Sequence, residues 1–415
     1  VYVGLLDKIV DWAKKSEYSV KFLNSEYYGL PFEQNEEISL EGVKDYMLAI
    51  TSIKPRDYQI QGVYDALKYN RRLIISPTGS GKSLMIYAVT RYHVGRKRRI
   101  LLVVPTTSLV EQMYKDFIEY GWDVEKYCHR VYAGRKRSTP QRVTISTWQS
   151  IYKMDKKWFS QFDVIIGDEA HQFKSKSLIG IMSKLRDTKY RYGFTGTLSG
   201  AQTHKWVLEG LFGPSYKVTK TKDLIDKGHL SKLDIRIIVL KHEPRQFEDY
   251  QEEINYIISN EKRNKFIRNL ALSLQGNTLI LFSRVEAHGE ILYESINSSV
   301  NDDRKVFFVH GGVEADERES IREITEEENN AIIVASYGTF STGINIKRLH
   351  NIIFASPSKS RIRNLQSIGR VLRKGKGKVK SLLYDIADDI KYDSQRNYTL
   401  NHLLERVKIY NEENF

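Results

Sequence analysis

Two short segments of this 415-residue chain carry the residue types needed to hold and cleave a phosphoanhydride. The first is Ser76-Pro77-Thr78-Gly79-Ser80-Gly81-Lys82-Ser83, set between an apolar run and a helical pattern. It fits the nucleotide-binding loop GxxxxGK[ST], except that Ser76 stands where the pattern has its first glycine. Gly79 and Gly81, alternating with Thr78 and Ser80, let backbone N–H groups turn inward around an anion. They do so at a helix N-terminus, whose dipole also favours negative charge. Lys82 is placed to contact the β- and γ-phosphates, and the Ser83 hydroxyl to ligate Mg²⁺. An ordinary Gly-rich turn is the competing reading, and a GKS placed between strand and helix argues against it.

The second segment is Gly167-Asp168-Glu169-Ala170-His171, at the end of the apolar run Val164–Ile166. A carboxylate at the C-terminal end of a parallel strand lies beside the phosphate loop of such a sheet. Asp168 is expected to hold hydrated Mg²⁺, and Glu169 to orient and deprotonate the attacking water. A lone Asp-Glu pair is ordinarily solvated surface. With an apolar strand feeding it and a phosphate loop upstream, the two segments together describe a site that hydrolyses a nucleoside triphosphate.

Such a site needs strands to carry it. Apolar runs occur at Leu73–Ser76, Ile100–Val104, Val143–Ser146 and Val164–Ile166. A second series occupies Thr278–Phe282, Val306–Val309, Ala331–Ala335, Asn351–Ala355 and Ser381–Asp385. Helical spacing appears between them at Ser83–Tyr92, Ser108–Tyr120, Glu261–Gln275 and Val285–Asn297. This alternation predicts an α/β protein with parallel sheets covered by helices on both faces. The strand-poor stretch near residues 199–230 divides it into two layers. The first fifty residues differ, with helix periodicity at Leu5–Tyr18 and Leu40–Ile50 and a strand pattern at Ser19–Leu23. With Val1 rather than Met in first place, they read as the remnant of a small accessory domain. The expected domains are residues 1–53, 54–213 and 214–415.

Lys and Arg number 65 against 51 Asp and Glu, giving a net charge of +14. No apolar run approaches the roughly 18 residues of a membrane span. A single cysteine, Cys128, excludes an internal disulfide framework and a Cys-rich zinc site, and fits a reducing cytoplasm. Cys128 itself has no nucleophile context and reads as a packing residue. Basic clusters at Arg96-Lys97-Arg98-Arg99, Arg135–Arg137 and Arg373–Lys380 favour a polyanionic partner. Charge alone does not separate DNA from RNA.

From the DEAH segment onward the chain resembles the superfamily 2 helicases and translocases. Arg56-Asp57-Tyr58-Gln59 resembles that family's segment upstream of the phosphate loop, which implies that Arg56 and Gln59 serve ATP binding. Val104-Pro105-Thr106-Thr107 and Ser146-Thr147-Trp148-Gln149 resemble its first-layer nucleic-acid motifs, implying backbone contacts from Thr106 and Thr147. Thr195-Gly196-Thr197 resembles the motif coupling nucleotide and strand sites, with His171 linking the Mg²⁺ site to Thr195 and Thr197. Leu279–Ser283 and His310-Gly311-Gly312 match less specific motifs. GTFSTGINI at Gly338–Ile346 brings Gly343 and Asn345 to the nucleotide, although many relatives have an acidic residue at the position of Asn345. QSIGRVLR at Gln366–Arg373 implies Arg370 and Arg373 as arginine fingers on one helix face, with Gln366 positioning water. Trp148 is placed either to stack on a base or to fill the core.

The resemblance spans about residues 54–390, and its nearest form is the phage UvsW-type recombination helicases. It implies two tandem RecA-like domains, ATP and Mg²⁺ as cofactors, and DNA as partner. The DNA would be branched or forked, and the protein a monomer working beside replication and recombination proteins in the host cytoplasm. An RNA helicase of the DEAH type is the first rival. An ATP-gated binder without turnover is the second, and the presence of Lys82, Glu169, Arg370 and Arg373 together argues against it. On this reading, Arg96–Arg99 contact phosphates.

Overall fold

The buried apolar runs become strands because each has helices on both faces. In the computed structural model, the described residues are 2–22, 29–301, 303–343, 346–375, 378, 380–393 and 395–415. The chain divides into two units, Val1–Lys220 and Thr221–Phe415. The first contains β1 (Arg71–Ile75), β2 (Ile100–Val104), β3 (Cys128–Val131), β4 (Val143–Thr147), β5 (Val164–Gly167), β6 (Tyr190–Thr195) and β7 (Ser215–Lys217). The second contains β8 (Lys232–Lys241), β9 (Thr278–Phe282), β10 (Val306–Val309), β11 (Ile332–Ser336), β12 (Asn351–Phe354) and β13 (Lys380–Asp389). Every pairing between these strands is parallel.

The first sheet has the order β3-β4-β2-β5-β6-β1-β7 and the second β10-β11-β9-β12-β13-β8. Numbered within its own unit, each sheet reads 3-4-2-5-6-1, so the second repeats the topology of the first and, among the described residues, lacks only a counterpart of β7. The expected α/β fold of two parallel-sheet layers is what the chain forms. β2, β4 and β5 are buried at every position, which is why they read as unbroken apolar runs.

Four strands fall outside the predicted set. β6 (YRYGFT) hides from an apolar search because Arg191 is buried in it, donating Nε to the Thr188 carbonyl at 3.2 Å. β8 is partly exposed along its length, β3 is buried only at its two ends, and β7 has three residues. The strand pattern at Ser19–Leu23 is not realised: residues 19–22 are irregular, and Leu23 lies outside the described residues. Helix Leu40–Ile50 forms as expected, and its Val43 and Met47 enter the core of the first unit. Leu6–Lys15 is helical within the predicted Leu5–Tyr18. Val285–Glu290 is a π-helical turn leading into the α-helix Ile291–Asn297. Cys128 is buried, and burial pushes its thiol well above the ordinary range, as suits a packing residue.

In the second unit, the last helix, Tyr398–Glu413, is locked to β13 by a buried pair. Arg406 Nη2 lies 2.8 Å from Asp385 Oδ1, and the Tyr410 hydroxyl donates to Asp385 Oδ2 at 2.7 Å. Removing one partner of such a pair leaves the other charge uncompensated, at a cost of about 3–5 kcal/mol. Arg406→Met should lower the stability of residues 221–415 by that amount in urea titration. An unchanged midpoint would show that the pair does not hold the helix.

Candidate active site

The phosphate loop leaves β1 and enters helix Lys82–Gly95. Gly79 and Gly81 adopt φ of +82° and +81°, a left-handed conformation that glycine takes without a Cβ clash. Ser76, at the place of the first glycine, is fully buried, and its Oγ lies 2.6 Å from Ser80 Oγ. The serine thus ties the base of the loop to its crown. From helix Asp57–Lys68, Gln59 Nε2 donates to the Ser80 carbonyl at 2.9 Å, while Gln59 Oε1 accepts from Arg56 N–H at 2.9 Å. The Tyr58 hydroxyl also donates to the Ser80 carbonyl at 2.9 Å, and Arg56 Nη1 donates to that hydroxyl. Both Gln59 amide atoms are engaged, so its visible role is to lash the loop in place. Tyr58 stands beside Gln59 in the motif and shares this work, a role that the motif alone did not assign.

Opposite the loop, β5 delivers Asp168 and Glu169. Asp168 is buried; desolvation first, then the Glu169 carboxylate, pushes it up to about 6, against the lowering effects of Lys82 and His171. Glu169 has a φ of +48°, a strained conformation for a residue with a Cβ, and its N–H donates to Asp168 Oδ1 at 2.8 Å. Lys82 Nζ lies 3.8 Å from Glu169 Oε1. β6 ends in Thr195-Gly196-Thr197, and a Cβ built on Gly196 would stand 3.3 Å from Thr78 Oγ1 and 3.5 Å from Lys82 Nζ. These motifs therefore converge on Lys82.

His171 joins them. Its Nδ1 lies 3.0 Å from Thr195 Oγ1 and 3.2 Å from Glu169 Oε2. The one hydroxyl proton of Thr195 goes to the Thr197 carbonyl at 3.1 Å, so Nδ1 must be the donor toward Thr195. His171 thus links the Glu169 carboxylate to the segment after β6 and belongs to no metal-ligand cluster; none of three or more His, Cys, Asp or Glu exists among the described residues.

The donor set suits Mg²⁺ brought in by a nucleotide. Ser83 offers one hydroxyl, 2.8 Å from the Tyr120 hydroxyl, and Asp168 one buried carboxylate. Mg²⁺ keeps several waters and phosphate oxygens as ligands, so two protein oxygens suffice.

Thr106, two residues beyond β2, and Thr147, the last residue of β4, lie on the same edge. Thr106 Oγ1 caps helix Thr107–Glu119 by accepting from Leu109 N–H at 3.4 Å. Thr147 is buried, with Oγ1 2.9 Å from Ser150 Oγ. Trp148 is half-buried against the core on one face of the sheet, 6.0 Å from the Tyr152 ring. The Arg96–Arg99 cluster precedes β2 and so lies at the opposite, N-terminal edge. Its side chains are also engaged: Arg96 over the Tyr92 ring at 3.6 Å, and Arg98 over Tyr190 at 4.0 Å and 2.9 Å from His93 Nδ1. Arg99 Nη2 donates to the Thr139 carbonyl and to Gln161 Oε1, each at 3.0 Å. Lys97 sits at a tight turn with a φ of +62°.

In the second unit, Gln366 and Arg370 lie on helix Arg361–Val371, with Arg370 Cζ 5.7 Å from the Phe340 ring centroid. Arg373 lies in the bend beyond the helix, not on its face as the three-residue spacing implied. The helix end is fixed by Lys378, whose Nζ donates to the carbonyls of Val371 and, at 3.1 Å, of Arg373. Burial pushes Lys378 down to about 7. Hidden in a basic run, it read only as part of a cluster favouring a polyanionic partner. Gly343 ends the helix Tyr337–Gly343, and Asn345 lies outside the described residues.

Residues 52–200 match the family model of the res subunit of type III restriction enzymes, and residues 261–375 that of the helicase conserved C-terminal domain. Over 412 residues the chain is 34% identical to the ATP-dependent DNA helicase uvsW of Enterobacteria phage T4, covering 92% of this chain and 81% of that protein. The chain belongs to the UvsW family of superfamily 2 helicases. It is also 24% identical over 329 residues to the DNA 3'-5' translocase XPB2 of Sulfurisphaera tokodaii, covering 77% of this chain and 68% of that one. Among solved structures, S. cerevisiae Dbp5 bound to RNA and ADP BeF3 matches 90% of this chain and 93% of its own, with a TM-score of 0.65 at 14% identity. That likeness bears on the fold alone, two tandem RecA-like layers.

Two outcomes are expected. A Cβ on Gly81 would stand 2.3 Å from Gln59 Nε2, in a left-handed conformation costing about 1–2 kcal/mol. Gly81→Ala should weaken binding of a fluorescent ATP analogue about tenfold or more; unchanged affinity would remove the Gln59 lash. Replacing Arg96, Lys97 and Arg98 with Ala should leave the slope of log DNA affinity against log salt unchanged. A flatter slope would return the cluster to the phosphates.

Proposed function

We propose that this chain is an ATP-driven DNA motor that remodels branched or forked DNA. The observation that carries this reading is the 34% identity, across 92% of the chain, to a protein named as an ATP-dependent DNA helicase. The site chemistry is consistent with it. Bound Mg²⁺–ATP would supply the phosphoanhydride whose hydrolysis does the work. The loop amides and Lys82 hold the phosphates, Ser83 and Asp168 hold the metal, and Arg56 and Gln59 serve the nucleotide end. Glu169 takes a proton from water. His171 passes the state of Glu169 to Thr195 and Thr197, which flank Gly196 beside Lys82.

Gln366 is assigned to positioning water, and Arg370 and Arg373 to stabilising charge on the transferred phosphoryl group. Such a residue is worth about 10³–10⁵ in rate in related phosphoryl transfers. Thr106, Thr147 and Trp148 contact the strand, largely through its phosphates. Among the described residues, no helix is long and apolar enough to cross a membrane.

Steady-state ATP hydrolysis should be stimulated by DNA, and most by a four-way junction over duplex, single-stranded DNA or single-stranded RNA. Glu169→Gln should retain ATP binding and lose about 10²–10⁴ in turnover. Normal turnover in that variant would reassign the base, and preferential stimulation by RNA would overturn the DNA reading.

A further inference from the structure

Because the two sheets share one strand order, each position around the phosphate loop has a counterpart in the second unit. β8 occupies the place of β1, and helix Tyr250–Ser259 follows it as helix Lys82–Gly95 follows β1. The ends of β9 and β12 correspond to those of β2 and β5. At this counterpart position lies a cavity of ≈ 780 Å³, lined among others by Tyr250, Arg284, Ser358, Lys359, Arg363 and His402. That volume falls within the range of small-molecule sites.

The local chemistry has changed in one direction. The connection at residues 242–249 (HEPRQFED) contains no glycine, so no backbone cradle replaces the loop. Where β5 delivers Asp168 and Glu169, β12 leads into Ser356-Pro357-Ser358-Lys359, which has no carboxylate for a metal. Cations stand there instead. Arg284 Nη2 donates to Gln251 Oε1 at 2.6 Å and Nη1 to Asn255 Oδ1, both neutral acceptors that aim the guanidinium without cancelling its charge.

Lys359 and Arg363 are exposed and form no salt bridge among the described residues, Arg363 having its Cζ 5.4 Å from the Tyr337 ring centroid. Of the nearby carboxylates, Glu253 is consumed by Asn397, the Thr399 hydroxyl and two backbone N–H groups, while Glu405 lies one turn along from His402. His402 Nδ1 is buried and has no hydrogen-bond partner among the described residues. Burial first, then Lys359 and Arg406, hold its imidazole below the ordinary value, against Glu253 and Glu405. The Tyr250 ring lies 5.0 Å from that imidazole, offering an aromatic face beside the charge.

We propose that this cavity is a second phosphate site, one that takes a nucleoside phosphate without a divalent metal. Arg284, Lys359 and Arg363 neutralise the phosphoryl oxygens, and the aromatic wall receives the base. The same chemistry is carried by a free nucleotide and by the terminal nucleotide of a strand.

The test uses the full chain with Lys82→Ala, which cripples the first site, titrated with ADP in EDTA by calorimetry. Saturable binding of one equivalent is expected. The added pair Lys359→Ala and Arg363→Ala, both at exposed positions, should weaken it about tenfold or more while leaving the far-ultraviolet circular dichroism unchanged. Competition of ADP with a 12-nucleotide strand carrying a 5′-phosphate would assign the site to strand ends, and its absence to free nucleotide. No saturable binding, or binding that the double replacement leaves unchanged, would overturn the proposal.

Discussion

All strands of the first sheet run in one direction, and the chemistry of the molecule depends on that. Each segment that follows a strand must emerge on the same edge. Ser76–Ser83 after β1, Thr106 after β2, Thr147 at the end of β4, Asp168–His171 after β5 and Gly196-Thr197 after β6 meet there for this reason. Residues scattered over some 120 positions thereby share one rim. The same constraint sends Arg96–Arg99, which precede β2, to the other rim, whatever their charge.

On that rim, electrostatics decides the detail. Burial first, then repulsion from the Glu169 carboxylate, raises Asp168, against Lys82, the Glu169 N–H and His171. The strained φ of Glu169 is tolerated because the Asp168 carboxylate fixes its N–H and His171 its side chain. Gln59 and Gly81 form a comparable interlock. The glutamine fills the space a Cβ would need, so each residue sets what the other can be.

The sequence displayed much of this, in proportion to how plainly the physics writes itself into residue types. Fully buried parallel strands are apolar throughout, so β2, β4, β5 and β9 were visible with nearly their true bounds. Edge or half-exposed strands such as β7 and β8 lack that signature, and β6 conceals a buried arginine. The nucleotide loop was legible because its backbone demands glycine at fixed places. The contacts of Tyr58, Tyr120 and Lys378 were not, since a hydroxyl or amine reveals its partner only in three dimensions. Lys378 shows the limit well: in a run of lysines, one turned inward to cap a helix looks like its neighbours.

Both sheets are drawn from uninterrupted stretches of chain. The first takes its seven strands from Arg71–Lys217 and the second its six from Lys232–Asp389, with no strand exchanged between them. As the polypeptide leaves the ribosome, the half bearing the phosphate loop therefore has every strand of its sheet before the other half is made. Domains generally fold as units in that order during synthesis. No pairing of the nucleotide-binding half's sheet has to wait for a strand of the later half.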